Sequence, residues 1–298
     1  MSEARAYWLH ALTPLHVGAG RGVGFIDLPL SREKATNWPV VPGSTVKGVM
    51  RGHFQRTGKV SDPGIFRAAF GAGGEDSLAG ALVYSDARLV LLPVRSLYGT
   101  FAWATSVLAL QRLTRDLTAA QIDGIPPLPA PLPADRVFTT HSTELTHPNG
   151  RGGRAYLEDL DLTGQEDDVT DQWGNFFARM LFRTDEPWQR LFSARFAVLP
   201  DAVFDFLTEL GTEVVARIKV SEATGTVDEG ALWYEENLPA EAVLAGLTWC
   251  DAVPGGNGFT LEGLLDNFCG SAVDCQVGGK ATVGRGRARF LFTGREGK

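Results

Sequence analysis

"RAYWLHALTPLHVGAGRGVGFIDLPLSREK", residues 5–34, runs from a strand into a glycine-rich loop. Its first eight residues, rich in aromatic and aliphatic side chains, read as a strand. Glycines at 18, 20, 22 and 24 exclude regular structure, so a loop follows. A lone carboxylate, Asp27, then sits between Ile26 and Leu28, with basic residues on both sides. A second glycine-rich segment lies at the far end of the chain. "SAVDCQVGGKATVGRGRARFLF", residues 271–292, reads as two strands around a glycine turn.

Between these ends, helices and strands alternate irregularly. "PGSTVKGVMRGHFQ" places a helix after a Pro-Gly break, with Ser44 as N-cap and Val46, Val49, Met50 and Phe54 on one face. Lys47 and Arg51 share a side of it, next to the N-terminus. Residues 80–94 read as two strands around Ser85-Asp86, and Thr105–Leu117 as a helix. Residues 121–135, with five prolines, read as a boundary or exposed connector. The polar, glycine-containing stretch around 136–172 suits a projecting hairpin. Asp201 caps a helix closed by Gly211; strands over 212–220, 230–239 and 240–250 and a helix closed by Gly270 follow. The pattern fits a single α+β domain over 1–298, of the ferredoxin-like kind with large insertions.

The composition is that of a globular protein, 44% hydrophobic and 21% charged over 298 residues. No apolar run reaches the roughly 20 residues of a membrane helix, and no leader is evident at the N-terminus, so a cytoplasmic location is expected. Three cysteines without a C-x-x-C pair read as buried thiols. The net charge of −7 disfavours nucleic acid, yet the charge is uneven. Residues 21–56 hold six basic residues against two acidic, and 278–298 hold six against one. A basic face on an acidic chain is therefore available.

Common catalytic motifs fail. The first glycine run lacks G-x-G-x-x-G spacing, because position 23 is Val. There is no P-loop and no G-x-S-x-G elbow. His141 and His147 lack the spacing of a zinc helix. What remains is backbone-rich: two glycine loops near Lys and Arg, where a polyanion approaches main-chain N–H groups closely. Ser44, Thr45, Lys47 and Arg51 at a helix start make a natural anion site. Asp27 either caps a turn or pairs with Arg32, or it sits beside a phosphodiester and holds a divalent metal or orients a 2′-hydroxyl.

Four segments in register, "HVGAGRGVGFIDLPLSREKATNWPVVPGSTVKGVMR", "SDARLVLLPVRSLYGTFAWATS", "GALWYEENLP" and "VGGKATVGRGRARF", resemble one family. It is the backbone subunit of the type III-B CRISPR effector, the Cmr complex, within the RAMP superfamily. The resemblance implies a modified RRM-like, ferredoxin-like palm with an inserted β-hairpin thumb, placed here at about 136–162. It implies copies stacked as a helical filament on guide RNA, beside other Cmr subunits. It also implies cleavage of complementary target RNA at regular intervals, with Mg2+ or another divalent metal. Carried over residue by residue, Asp27 matches the catalytic, metal-supporting aspartate, and His16 a loop histidine near it. Glu236 lies where the family carries an acid. Gly18, Gly20, Gly22, Ser44, Thr45, Lys47 and Arg51 match RNA-contacting positions, as do Gly278, Gly279, Lys280, Thr282, Gly284 and Arg285; Gly286 belongs to the same loop. Two alternatives stay open: a non-catalytic RNA-binding scaffold, and a guide-processing endonuclease of the same superfamily that uses a histidine such as His16.

Overall fold

The strand β1 (Glu3–Ala11) organises the chain because both of its faces are buried. Tyr7, Leu9 and Ala11 face one hydrophobic core, and Ala6 and Trp8 face another. A strand covered on both sides needs this near-continuous apolar run. The computed structural model describes residues 3–20, 22, 24–73, 78–147, 153–220, 227–253 and 258–293.

After β1 come β2 (Val40–Val41), α1 (Gly43–Thr57), α2 (Pro63–Phe70), β3 (Gly71–Ala72), β4 (Leu78–Ala79), β5 (Leu82–Tyr84) and β6 (Ala87–Arg95). The middle of the chain adds β7 (Phe101–Ser106), α3 (Val107–Ala119), β8 (Arg136–Thr139), β9 (Arg154–Leu157), β10 (Leu160–Glu166), α4 (Asp168–Phe182), α5 (Glu186–Ala194) and β11 (Phe196–Leu199). The last part holds α6 (Asp201–Leu210), β12 (Glu213–Val220), β13 (Val227–Asn237), β14 (Val243–Cys250), α7 (Leu261–Cys269), β15 (Val273–Gln276), a 3-10 turn (Ala281–Val283) and β16 (Arg287–Thr293).

Among the described residues, the main sheet has 12 strands, with the path β15-β16-β1-β14-β6-β7-β11-β8-β10-β9. Helices α1, α2, α6 and α7 cover one face, and α3, α4 and α5 the other. The result is an α+β architecture. Because β1 lies antiparallel to both β14 and β16, the end of β1, the start of β14 and the start of β16 meet at the same end of the sheet's strands. The two glycine-rich segments of the sequence therefore emerge side by side.

Two local expectations are corrected. Ser44 is not the N-cap of α1: Pro42 holds that place without a side-chain bond, and Gly43 N donates to Asp86 Oδ1 at 2.7 Å. A Cβ at Gly43 would stand 2.3 Å from the Tyr84 carbonyl, so the Ser85-Asp86 turn seats on the helix start only because glycine is there. Asp201 opens α6 after the N-cap Pro200, and its carboxylate accepts from Leu108 N. Residues 121–135 are, as expected, a largely exposed connector without helix or strand, but one fastened to the core. Ile122, Ile125 and Leu132 pack on the α3–α4 core, and buried Trp173 donates its indole N–H to the Pro127 carbonyl at 2.7 Å.

The stretch 136–162 supplies β8, β9 and the start of β10 within the main sheet, where β9 and β10 pair as a hairpin at its edge; residues 148–152, with Arg151, lie outside the described residues. The ribbon β12–β13 is a separate two-stranded sheet. Among the described residues, no helix is long and apolar enough to cross a membrane.

Trp173→Phe should cost about 1–3 kcal/mol, from a lost buried hydrogen bond plus a small cavity. Denaturant unfolding checks this. An unchanged midpoint would show that the proline-rich strap is not held by that bond.

Candidate nucleic-acid interface

The loop after β1 folds back on itself. Gly18 bridges Leu30, Ala19 N donates to the Pro29 carbonyl at 3.0 Å, and Ser31 N donates to the Val17 carbonyl at 2.8 Å. The glycines shape the tip: Gly20 and Gly24 have φ of 81° and 60°. At Gly22 a Cβ would stand 3.2 Å from the Ile26 carbonyl, so the run lies directly on the backbone of Asp27. Arg21 and Val23 lie outside the described residues.

Asp27 is exposed at this tip and is clipped to β13. Its Oδ2 accepts from Tyr234 N at 2.8 Å, Leu28 N donates to the Tyr234 carbonyl, and Glu236 N donates to the Leu28 carbonyl. Phe25, 73% exposed, stands edge-on to the Tyr234 ring at 6.1 Å. Arg32 does not pair with Asp27, which removes the reading of Asp27 as its structural partner. Its guanidinium instead meets Glu236 Oε1 at 2.5 Å and donates to the Asn37 and Thr208 carbonyls.

Glu236 is a buried anchor, not an exposed acid. Its Oε2 accepts from Leu30 N at 2.8 Å, and its Oε1 accepts from Arg32 and from Thr212 Oγ1 at 2.9 Å. The carboxylate holds the returning arm of the loop against β13 with no lone oxygen left for a metal. Glu33 anchors the same arm farther along. It takes two bonds from Arg112 of α3, at 2.6 and 2.8 Å, and one from Thr36. Burial pushes the Glu33 carboxyl up, but these donors outweigh burial and hold it below the ordinary glutamate range.

His16 is where the two glycine loops meet. Its Nδ1 lies 2.8 Å from the Glu236 carbonyl, and a Cβ on Gly18 would stand 3.0 Å from its Nε2. Gly279 N donates to its carbonyl at 2.9 Å. At Gly278, with φ of 74°, a Cβ would stand 2.2 Å from that carbonyl. Buried in this way, His16 is a spacer between backbones. Gly286 N donates to the Pro14 carbonyl, which closes the other end of the second loop. Between them Gly278, Gly279, Thr282 and Gly284 are exposed. Lys280 Nζ lies 3.7 Å from Glu235 Oε2, and Arg285 lies 3.6 Å from Glu213 Oε2.

The structure does not join the α1 start to His16 by any hydrogen bond among the described residues. Ser44 is exposed and Thr45 half-buried in the first turn, where the Asp86 carboxylate already sits on Gly43 N. Lys47 Nζ donates to the Leu82 carbonyl at 2.8 Å, and burial, with Arg51 beside it, pushes its pKa down. Arg51 is exposed.

No cluster of three or more His, Cys, Asp or Glu side chains gathers to hold a metal among the described residues. Asp27, with Oδ2 taken by Tyr234 N, is an exposed carboxylate that offers at most one protein group to a cation. A chelated resident metal would need more protein ligands. Sequence reasoning missed Tyr234, Glu235, Glu213 and Phe25. A signal existed for one of them: Glu235 and Glu236 are adjacent on a strand, so they face opposite ways, and one must point under the ribbon.

The RAMP superfamily description matches residues 8–289. The CRISPR system Cmr endoribonuclease Cmr4 of Pyrococcus furiosus is 34% identical over 291 residues, covering 93% of this chain and 92% of that protein. The crystal structure of oligomeric Cmr4 from Pyrococcus furiosus superposes with a TM-score of 0.76 at 29% identity, over 98% of each chain. A cryo-EM structure of the Type III-B Cmr-beta bound to cognate target RNA matches with a TM-score of 0.74 at 18% identity, covering 97% of this chain and 96% of that one, a likeness of fold alone.

Glu236→Ala should destabilise the chain by about 2–4 kcal/mol, because half-buried Arg32 and the buried Leu30 N–H lose their carboxylate partner. Glu236→Gln should cost less, and equal melting of wild type and Glu236→Ala would remove the anchor role. Because the folded pKa of Glu33 is depressed, its contribution is complete above the ordinary glutamate value of about 4.3 and is lost as pH falls through the folded value. Urea midpoints from pH 3 to 6 should therefore fall more steeply for wild type than for Glu33→Gln.

Proposed function

The chain belongs to the RAMP superfamily, and we propose that within it the chain serves as the repeated backbone subunit of a type III-B CRISPR effector. In this reading it binds guide RNA, stacks on further copies and other Cmr subunits, and cuts complementary target RNA. The observation that carries the reading is the meeting of two glycine loops, from opposite ends of the chain, at His16, with exposed Asp27 clipped at the tip of the first. The relative named for Cmr endoribonuclease activity, and the structures of oligomeric Cmr4 and of a target-bound Cmr complex, support it. In the same reading the main sheet is the ferredoxin-like palm. The wedge that splays the duplex falls to the separate ribbon β12–β13, whose outer face carries Leu232 and Tyr234 beside Asp27, in place of 136–162.

The chemistry follows from this placement. A 2′-hydroxyl attacks its own phosphate in line only when the strand leaves helical geometry, and unstacking costs a few kcal/mol that protein contacts must offset. The ribbon and the exposed Phe25 offer apolar surface for that unstacking. Tyr234 N fixes Asp27 Oδ2, so the remaining oxygen projects in one direction, preorganised at no cost during reaction. Asp27 would hold a divalent cation, which would supply charge stabilisation at the phosphate when bound. The products are a 2′,3′-cyclic phosphate and a 5′-hydroxyl. The guide-processing alternative needs an accessible histidine, whereas His16 is buried and engaged.

In the assembled, guide-loaded complex, Asp27→Ala should lower target cleavage by about 10²-fold or more, the scale of one positioned catalytic group, while target binding persists. Magnesium and chelator arms should bracket the wild-type rate. Cutting at the wild-type rate by Asp27→Ala would reduce the chain to a scaffold. Arg51→Ala should weaken guide binding for every sequence alike and reduce the salt slope by about 0.7 in log–log terms.

A further inference from the structure

The ribbon's inner face carries charges that the fold does not satisfy. The register sets Glu213 opposite Asn237, Val215 opposite Glu235 and Arg217 opposite Trp233, so Glu213, Arg217, Trp233, Glu235 and Asn237 share one face. That face meets the second glycine loop. Glu235 is 1% exposed, yet its Oε1 has no hydrogen-bond partner among the described residues. Its Oε2 sits 3.7 Å from Lys280 and 3.8 Å from Arg217, beyond direct hydrogen bonding. Arg285 stands 3.6 Å from Glu213, with its own Nε unpartnered. Asn237, fully buried, has neither amide atom paired, and the Trp233 indole N–H is unpaired too.

The contrast with the next residue is direct. Glu236, on the opposite face of the same strand, takes three bonds at 2.5–2.9 Å. A buried carboxylate with only long ion pairs gains little for its desolvation. Buried polar atoms without partners are rare in folded proteins, and a cluster of them on one face calls for an explanation. One side of β13 is thus a permanent joint, and the other a joint the chain leaves incomplete.

We propose that Glu235 and Glu213 act as stand-ins for RNA phosphates on Lys280 and Arg285, so that the β12–β13 ribbon latches the second glycine loop until RNA displaces it. A carboxylate and a phosphate oxygen offer lysine and arginine the same acceptor. Phosphates arriving at the exposed loop compete for the two cations and release the ribbon face, whose Arg217 is then available to the same strand. The latch rests on the guide-RNA binding given under Proposed function and on the RNA-contacting positions that the family resemblance assigns to Lys280 and Arg285. It goes further by making the free chain hold its own site closed.

The test uses the full chain and a fluorescein-labelled, mixed-sequence single-stranded RNA, with anisotropy read at fixed ionic strength. Glu235→Gln and Glu213→Gln should each tighten binding about two- to fivefold, the Kd equivalent of a partly screened ion pair. The gain from Glu235→Gln should vanish in a Lys280→Ala background, and that from Glu213→Gln in an Arg285→Ala background. A gain that survives loss of the cation is a general charge effect and overturns the latch. Equal or weaker binding by both glutamine variants, with melting unchanged, also overturns it. If Glu235→Gln fails to fold, the Glu213–Arg285 cycle decides alone. Wild-type binding that Lys280→Ala and Arg285→Ala leave untouched defeats the RNA-binding role itself, a pattern distinct from binding without the glutamine gains.

Discussion

The carboxylate of Glu236 is the interaction on which the site depends. It accepts from Leu30 N, Arg32 and Thr212, and its own main chain receives His16 through the carbonyl and reaches Leu28 through the N–H. One residue thus joins the glycine loop, the ribbon and the histidine spacer. A buried charge with both oxygens engaged tolerates little movement, because each displaced donor would be left without a partner. Asp27 inherits its position from that rigidity: it sits on the same strand joint, one hydrogen bond farther out.

The glycines follow from this joint. At Gly278 the His16 carbonyl passes where a side chain would stand, and Gly22 lies close on the Ile26 carbonyl of its own loop. Both loops therefore approach each other at main-chain distance, and the same lack of side chains leaves Gly279, Thr282 and Gly284 open to a passing polyanion. Close packing and an accessible backbone come from one property of the residue. The basic side chains around this surface are not equally available: Lys47 is turned onto a carbonyl, Lys280 and Arg285 face carboxylates, and Arg51 is exposed.

The α+β class, the strands around Ser85-Asp86, the end strands and α7 were legible in the sequence, because apolar pattern and turn residues act locally. So was the RAMP relationship, carried by four segments in order. The same local signals misplaced the Ser44 cap, since nothing in "PGSTVK" reveals that Asp86 arrives at Gly43 N from another strand. They identified 121–135 as a connector but not how it is fastened, because the bond from Trp173 to Pro127 joins residues far apart in the chain. The proline count was correct evidence for absent helix and no evidence about burial.

For the site, the sequence alone determined which residues are chemically able to act: a carboxylate in a glycine loop, a second glycine loop, and lysine and arginine beside both. Tertiary structure decided which of them are free to do so. Glu236 and Asp27 are the same functional group, yet one is closed by three donors and the other projects to solvent. That difference arises from β-strand register and from the antiparallel neighbours of β1, which bring residues 16, 27, 236 and 279 together. Register is a long-range property set by packing on both faces of the sheet, and no short stretch of the chain encodes it.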